Sequence, residues 1–161
     1  MEEKVYQVFE KLNIKFDVVK HAAAFTCEDI EEDEIKFDGV VCKNLFLRNK
    51  DKSKYYLVSL PLNKKIDLKL LEKQLEETKF SFGSEEKLLE KLNIERGSVS
   101  VLNVINVEET DVIFIIDKCI LENSRVGFHP NVNTATIIFP SQDIKTILDF
   151  YNVQFKFVEI K

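Results

Sequence analysis

Two apolar, β-patterned runs, Val40–Leu47 and Lys54–Leu60, are separated by little more than the turn-forming stretch Asn49-Lys50-Asp51-Lys52-Ser53. A gap that short holds a hairpin and no crossover helix, so the two strands must pair antiparallel. Pro61 then ends the second strand, because proline has no N–H to give to a ladder. Around this hairpin, strand and helix periodicities are mixed without strict alternation. That pattern selects an α+β domain with a mixed, mostly antiparallel sheet over a doubly wound one.

Val5, Val8, Phe9 and Leu12 fall on one face of a helix over residues 2–12, which Asn13 can stop. Phe16–Val19 reads as a short strand. Thr26 can cap a helix whose first turn holds Glu28 and Asp29, so the acidic run at 28–34 reads in part as a short solvated helix. Asp67 can cap a helix carrying Leu68, Leu71 and Leu75, and Ser84 another carrying Leu88, Leu89 and Leu92. Gly97–Ser100 is a loop leading into Val101–Val104. Val112–Ile116 and Thr134–Phe139 are strands, and Asn123-Ser124 marks a turn between them. Ser141 can cap a last helix with Ile144, Ile147, Leu148 and Tyr151, and the alternation Val153, Phe155, Phe157 gives a terminal strand. Residues 1–161 show no repeat and no linker, and read as one domain.

The chain can build its own core. With 161 residues, 45% of them hydrophobic and 13 Phe, it needs no disulfide or metal as a staple. Cys27, Cys42 and Cys119 are odd in number and match no zinc spacing, which reads as free thiols in a reducing compartment. No leader pattern and no membrane-length apolar run is visible, so a cytoplasmic protein without membrane contact is expected. Four glycines leave no phosphate-cradling loop, and His21 and His129 lie too far apart in sequence to form a metal motif. Neither metal nor organic cofactor is expected. The net charge of −5 argues against a protein that coats nucleic acid at large. Yet Lys43, Arg48, Lys50, Lys52 and Lys54 stand in one strip against a single acid, Asp51. Such a strip can meet phosphate, and it can equally be an ordinary solvated hairpin.

Two segments are unusual. In Cys42-Lys43-Asn44-Leu45-Phe46-Leu47-Arg48 a lysine opens a strongly apolar strand. It places an ammonium at the mouth of a sheet, or is simply a strand-edge lysine. In Gly127-Phe128-His129-Pro130-Asn131-Val132-Asn133-Thr134-Ala135-Thr136 a turn dense in polar groups leads into a strand. A structural Asn/Thr turn network explains those groups as well as a binding site does.

Together, Lys-Asn-Leu-Phe-Leu-Arg at 43–48 and His-Pro-Asn-Val-Asn-Thr-Ala-Thr at 129–136 resemble the paired signatures of the YbaK/ProX family. These are freestanding relatives of the prolyl-tRNA synthetase editing domain. Phe25-Thr26 followed by acids resembles the family's first segment, and order and spacing agree over essentially the whole chain. The resemblance implies a mixed sheet, partly barrel-like, surrounded by helices. It implies hydrolysis of the ester joining a wrong amino acid to tRNA; for the ProX type this is alanine on proline-specific tRNA. Cysteine or another small residue is the alternative substrate, and a non-catalytic sensor of charged tRNA is the alternative class. Prolyl-tRNA synthetase is an implied partner.

By the same resemblance the essential lysine falls on Lys43. The Gly-x-x-x-Pro loop falls on Gly97–Val101, with Val101 where the family has proline, and the pocket histidine falls on His129. Asn44, Ser98, Val99, Asn133 and Thr134 are then expected on the substrate side, and Arg48, Lys50 and Lys52 against tRNA. Nothing is carried over for His21, since the family's usual His-Pro-Pro reads His21-Ala22-Ala23 here.

The chemistry explains why such residues suffice. Alanine is smaller than proline, so a synthetase pocket cannot exclude it by size, and the missing methylenes discriminate by only ~1–3 kcal/mol. A second site that admits alanine and rejects the proline ring solves the problem. An aminoacyl ester is already activated, so positioning and oxyanion stabilisation supply much of the acceleration. Lys43 is expected to anchor a phosphate or ribose edge as a point charge. Backbone N–H groups at Gly97 and Ser98 are expected to face the ester carbonyl, and His129 to limit the pocket. Water is the expected nucleophile, with the substrate's free ribose hydroxyl as its orienting group.

Overall fold

The computed structural model describes residues 1–22 and 38–161. Helix α1 (Glu2–Lys11) buries Val5 and Phe9 against the sheet. Strand β1 is Asp17–Lys20, β2 is Val40–Arg48 and β3 is Tyr55–Pro61. Helix α2 (Leu68–Gln74) is capped by Asp67, whose side chain accepts from the Leu70 N–H. After the two-residue strand β4 (Ser81–Phe82), Ser84 caps α3 (Glu85–Leu92) by accepting from the Lys87 N–H. Strand β5 (Ile113–Asp117), β6 (Arg125–Phe128), β7 (Ala135–Pro140), α4 (Asp143–Phe150) and β8 (Phe155–Val158) complete the fold.

Two segments differ from expectation. Val101–Asn106 is a 3₁₀ helix, nucleated by a capping box in which Ser100 and Asn103 satisfy each other's backbone N–H groups. Ser141 does not cap α4: its hydroxyl donates to the Asn123 carbonyl at 2.6 Å, and Gln142 at the cap position makes no side-chain bond. The predicted cap at Thr26, the acidic run at 28–34 and Cys27 lie outside the described residues.

The strands among the described residues form one sheet in the order β1-β7-β6-β2-β3-β5-β8, with β4 on β2. The hairpin pairs as expected, from Cys42↔Pro61 to Arg48↔Tyr55. Pairs β1–β7, β6–β7, β2–β3 and β2–β4 are antiparallel, while β2–β6, β3–β5 and β5–β8 are parallel. The domain is therefore α+β with a mixed, mostly antiparallel sheet flanked by helices.

Side-chain alternation divides the core. Cys42, Phe46, Leu57, Phe114, Phe128 and Phe139 point to the face packed by α1, α3 and α4. Leu47, Val58, Leu60 and Ile115 point to the opposite face, against Leu71 and Ile160. At the β1–β7–β6 end, that second face turns polar.

Candidate active site

Strand β2 changes partner partway along its length, and the site grows from that change. Its first residues pair with β6, Val40↔Val126 and Val41↔Gly127, and from Cys42 onward it pairs with β3. Lys43 and His129 each stand two residues beyond the register pair Val41↔Gly127. Residues in register on parallel strands share a face. The lysine and the histidine flagged in the sequence, 86 positions apart, thus belong to the same face where the two strands part. It is the face opposite the main core. Lys43 is half-buried, and while its backbone belongs to the β2–β3 ladder its ammonium makes no hydrogen bond or ion pair with a described residue.

The polar face continues across β7 and β1. Thr136 pairs with Val19, and the His21 N–H donates to the Thr134 carbonyl. His21 Nδ1 lies 2.8 Å from the Ala22 carbonyl, and its Nε2 lies 3.0 Å from the buried Thr136 hydroxyl. His129 Nδ1 lies 3.2 Å from the Ala135 carbonyl. A carbonyl only accepts, so both rings carry a proton on Nδ1. The two imidazoles sit 6.1 Å apart, centroid to centroid. Further along the same face Arg125 pairs with Asp17 at 2.9 Å.

Burial pushes the His129 imidazole below its ordinary value; the Ala135 carbonyl opposes this and neighbouring His21 adds to it. His129 is therefore neutral at physiological pH, with Nε2 as a free acceptor among the described residues. A consequence follows for stability. The unfolded imidazole binds a proton near pH 6.5 and the folded one resists it, so stability is full above about pH 6.5 and falls as pH drops below it. Urea midpoints measured from pH 7.5 to 5.5 should decline, and His129→Asn, which keeps a donor for Ala135 without titrating, should flatten that part of the decline. An unchanged slope would remove the claim.

The Gly97 loop reaches the His129 segment through three asparagines. Asn131 is buried in left-handed backbone at φ 66°, a conformation asparagine tolerates. Its Oδ1 accepts from Asn103 Nδ2 at 2.8 Å and Asn106 Nδ2 at 2.9 Å, and its Nδ2 donates to Asn106 Oδ1 at 2.7 Å. Asn103 in turn accepts the Ser100 N–H at 2.7 Å and donates to the Ser98 carbonyl at 3.2 Å. Asn103 and Asn106 escape sequence reading because an asparagine in a short helical turn looks like any loop residue.

Other predicted residues fall into different settings. Gly97 has φ 96°, which only glycine adopts without strain, and its N–H makes no hydrogen bond to a described residue. The Ser98 N–H, expected to face a substrate carbonyl, donates instead to Glu95 O at 3.3 Å within the turn. Val99 packs against the main core. Asn44 lies on the opposite face of β2 from Lys43 and accepts from the buried Ser59 hydroxyl at 2.5 Å, which accounts for its polarity structurally. Asn133 is half-buried and Thr134 exposed. Cys42 is buried in the core, which raises its thiol well above the ordinary range.

The basic strip lies at the other end of β2. Arg48 is half-buried and donates to the Asn49 carbonyl at 3.1 Å, while Lys50, Lys52 and Lys54 are exposed at the hairpin tip. Arg48 stands five positions along the strand from Lys43, a span of roughly 17 Å. A cleft of about 660 Å³ elsewhere, lined by Glu90, Glu108, Glu109 and Asp111 among others, holds none of the predicted residues, and its acids would repel RNA. Among the described residues no helix is long and apolar enough to cross a membrane, and no cluster of His, Cys, Asp and Glu is placed to hold a metal ion.

Comparison with known proteins places the chain in a family. Residues 21–147 match the model of the aminoacyl-tRNA editing domain. The chain is 34% identical over 158 residues to the prolyl-tRNA editing protein ProX of Acetoanaerobium sticklandii, covering 98% of this chain and 96% of that one. It is 35% identical over 136 residues to prolyl-tRNA synthetase associated domain-containing protein 1 of Mus musculus, covering 82% of this chain and 80% of that one. A solved structure of a candidate trans-editing enzyme for prolyl tRNA synthetase covers 97% of this chain and 94% of its own at TM-score 0.69 and 16% identity, a likeness of fold. His21, Lys43, Gly97 and His129 all lie inside the matched span. The chain belongs to the aminoacyl-tRNA editing domain family, and it is an aminoacyl-tRNA hydrolase acting on tRNA as substrate.

Proposed function

We propose that this protein edits in trans, hydrolysing the ester that joins alanine wrongly to proline-specific tRNA. The observation that carries the reading is that Lys43 and His129 each follow the β2–β6 register pair Val41↔Gly127 by two residues, with the His129 Nδ1 already held by the Ala135 carbonyl. Lys43 anchors the phosphate or ribose edge of the terminal adenosine. His129 bounds the aminoacyl pocket, with Asn133 and Thr134 at its rim. Gly97 supplies a backbone N–H toward the developing oxyanion, where the missing side chain permits close approach. Water attacks the ester carbonyl, oriented by the substrate's ribose hydroxyl. One proton of the attacking water passes to the leaving ribose oxygen as the C–O ester bond breaks, the other passes to solvent, and alanine departs as its carboxylate.

Residues 1–161 act as one editing domain, in the cytoplasm where tRNA is charged, with prolyl-tRNA synthetase as the source of the mischarged substrate. Similarity to ProX along nearly the whole chain supports the proline-specific tRNA, and the alanine rests on the size argument, since a smaller side chain is what the synthetase pocket cannot exclude. The test is a panel of proline-specific tRNA charged with alanine, cysteine or proline. Alanine should be released fastest and proline slowest, and His129→Ala should compress that ranking. Cysteine released faster than alanine would replace the proposed substrate.

The exposed lysines at the hairpin tip contact the tRNA backbone. Lys50→Glu with Lys52→Glu should weaken tRNA binding and lower the dependence of log affinity on log salt by roughly 1–2. Binding titrations at several salt concentrations read this directly, and an unchanged slope would remove the strip from the interface.

A further inference from the structure

Ala135 is gripped from both sides by one residue. Its own carbonyl holds His129 Nδ1 at 3.2 Å. The residue before it, Thr134, accepts the His21 N–H at 3.0 Å through its carbonyl, and the residue after it, Thr136, meets His21 Nε2 at 3.0 Å through its hydroxyl. His21 Nδ1 is tied back to the Ala22 carbonyl at 2.8 Å, so both ring nitrogens are engaged and the ring is fixed. Thr136 is buried in β7, where a hydroxyl needs a partner. The two imidazoles share one face at 6.1 Å without bonding each other. Apart from the direct charge effect already noted, His21 reaches His129 through the 134–136 segment.

We propose that His21 is a positioning residue of the editing site: it clamps residues 134 and 136 so that the Ala135 carbonyl holds His129 as its Nδ1–H tautomer, with Nε2 open toward the substrate. This deepens the function proposed above and rests on it for the kinetic effect only. The tautomer of His129 is a property of the free protein. Without the His21 side chain, Thr136 rotates to another partner, the β7 entry loosens and the His129 ring samples both tautomers.

The experiment pairs ring-nitrogen NMR of His129 with single-turnover release of alanine from Ala-tRNA(Pro), in wild type, His21→Ala, His21→Gln and Thr136→Val. Wild type should show one Nδ1–H tautomer for His129. His21→Ala and Thr136→Val should show mixed tautomers and lose on the order of tenfold to a hundredfold in rate. His21→Gln, whose amide can still meet Thr136, should recover most of both. A His129 signal unchanged in folded His21→Ala overturns the proposal, whatever the rates. If His21→Ala does not fold, Thr136→Val, nearly the same in shape, decides by the same signal. A signal that shifts as expected in a protein whose wild type releases no alanine upholds the clamp and overturns the substrate instead.

Discussion

Lys43→Ala protein is expected to fold normally and to hydrolyse Ala-tRNA(Pro) on the order of 10²–10³ more slowly than wild type. Removing one preorganised charge from an oxyanion-type site costs on the order of 10²–10³ in rate, and here Lys43 is the cation on the site's face without a described partner. Its removal should leave stability within about 1 kcal/mol, because no hydrogen bond or ion pair to a described residue is lost. Lys43→Met, which keeps the apolar stem between Val41 and Leu45, should be equally inactive, separating charge from packing. Lys43→Arg should recover only part of the activity, since a planar fork does not replace a point charge. Single-turnover deacylation with circular dichroism on the same samples checks all three. Turnover near wild type in a folded Lys43→Ala protein would displace the lysine from the mechanism.

The largest effect on stability is expected at Asn131. Asn131→Ala takes one of two acceptors from each of the Asn103 and Asn106 amide nitrogens, which keep the Ser98 and Leu92 carbonyls, and leaves Asn106 Oδ1 without its donor. Unpaired buried polar groups cost about 1–3 kcal/mol each, and alanine at φ 66° adds about 1 kcal/mol. With partial rescue by water and relaxation, a loss of about 3–5 kcal/mol is expected from urea unfolding. Asn131→Gly keeps the backbone conformation and loses only the network, so it should fall about 1 kcal/mol short of the alanine variant. Both should slow deacylation as well, because the network ties the Gly97 loop to the His129 segment. A loss under 1 kcal/mol in Asn131→Ala would show that the two remaining amides find other partners.

What the sequence made legible follows from how local each signal is. The hairpin was readable because its turn is too short for any other connection, and α2 and α3 because Asp67 and Ser84 announce them with side chains that do accept the expected N–H groups. Strand β6 was not, since four residues containing Gly127 show no usable alternation, and β4 is only two residues long. The Val101 segment looks apolar enough for any element; only Asn103 reaching back to Ser100 makes it a 3₁₀ helix.

The site divides in the same way. Lys43 and His129 stood out by motif, and each follows the parallel pair Val41↔Gly127 by two residues. Asn44 also stood out, yet strand alternation turns it away from the lysine it follows. His21 carried no signal, because its partner Thr136 is 115 residues away and only the pairing of β1 with β7 brings them together. The polar turn at 129–136 held both explanations at once: Asn131 is tied into the asparagine network, while His129 on the same turn is held through Nδ1 alone and is the one proposed to face substrate.

The central claim is that this face releases alanine from a tRNA meant for proline. The most direct measurement is multiple-turnover release of labelled alanine from Ala-tRNA(Pro) by the intact protein, with Pro-tRNA(Pro) alongside. Catalytic release of alanine with proline left on its tRNA is the predicted result. Equal release of both, or none of either from folded protein, would contradict it.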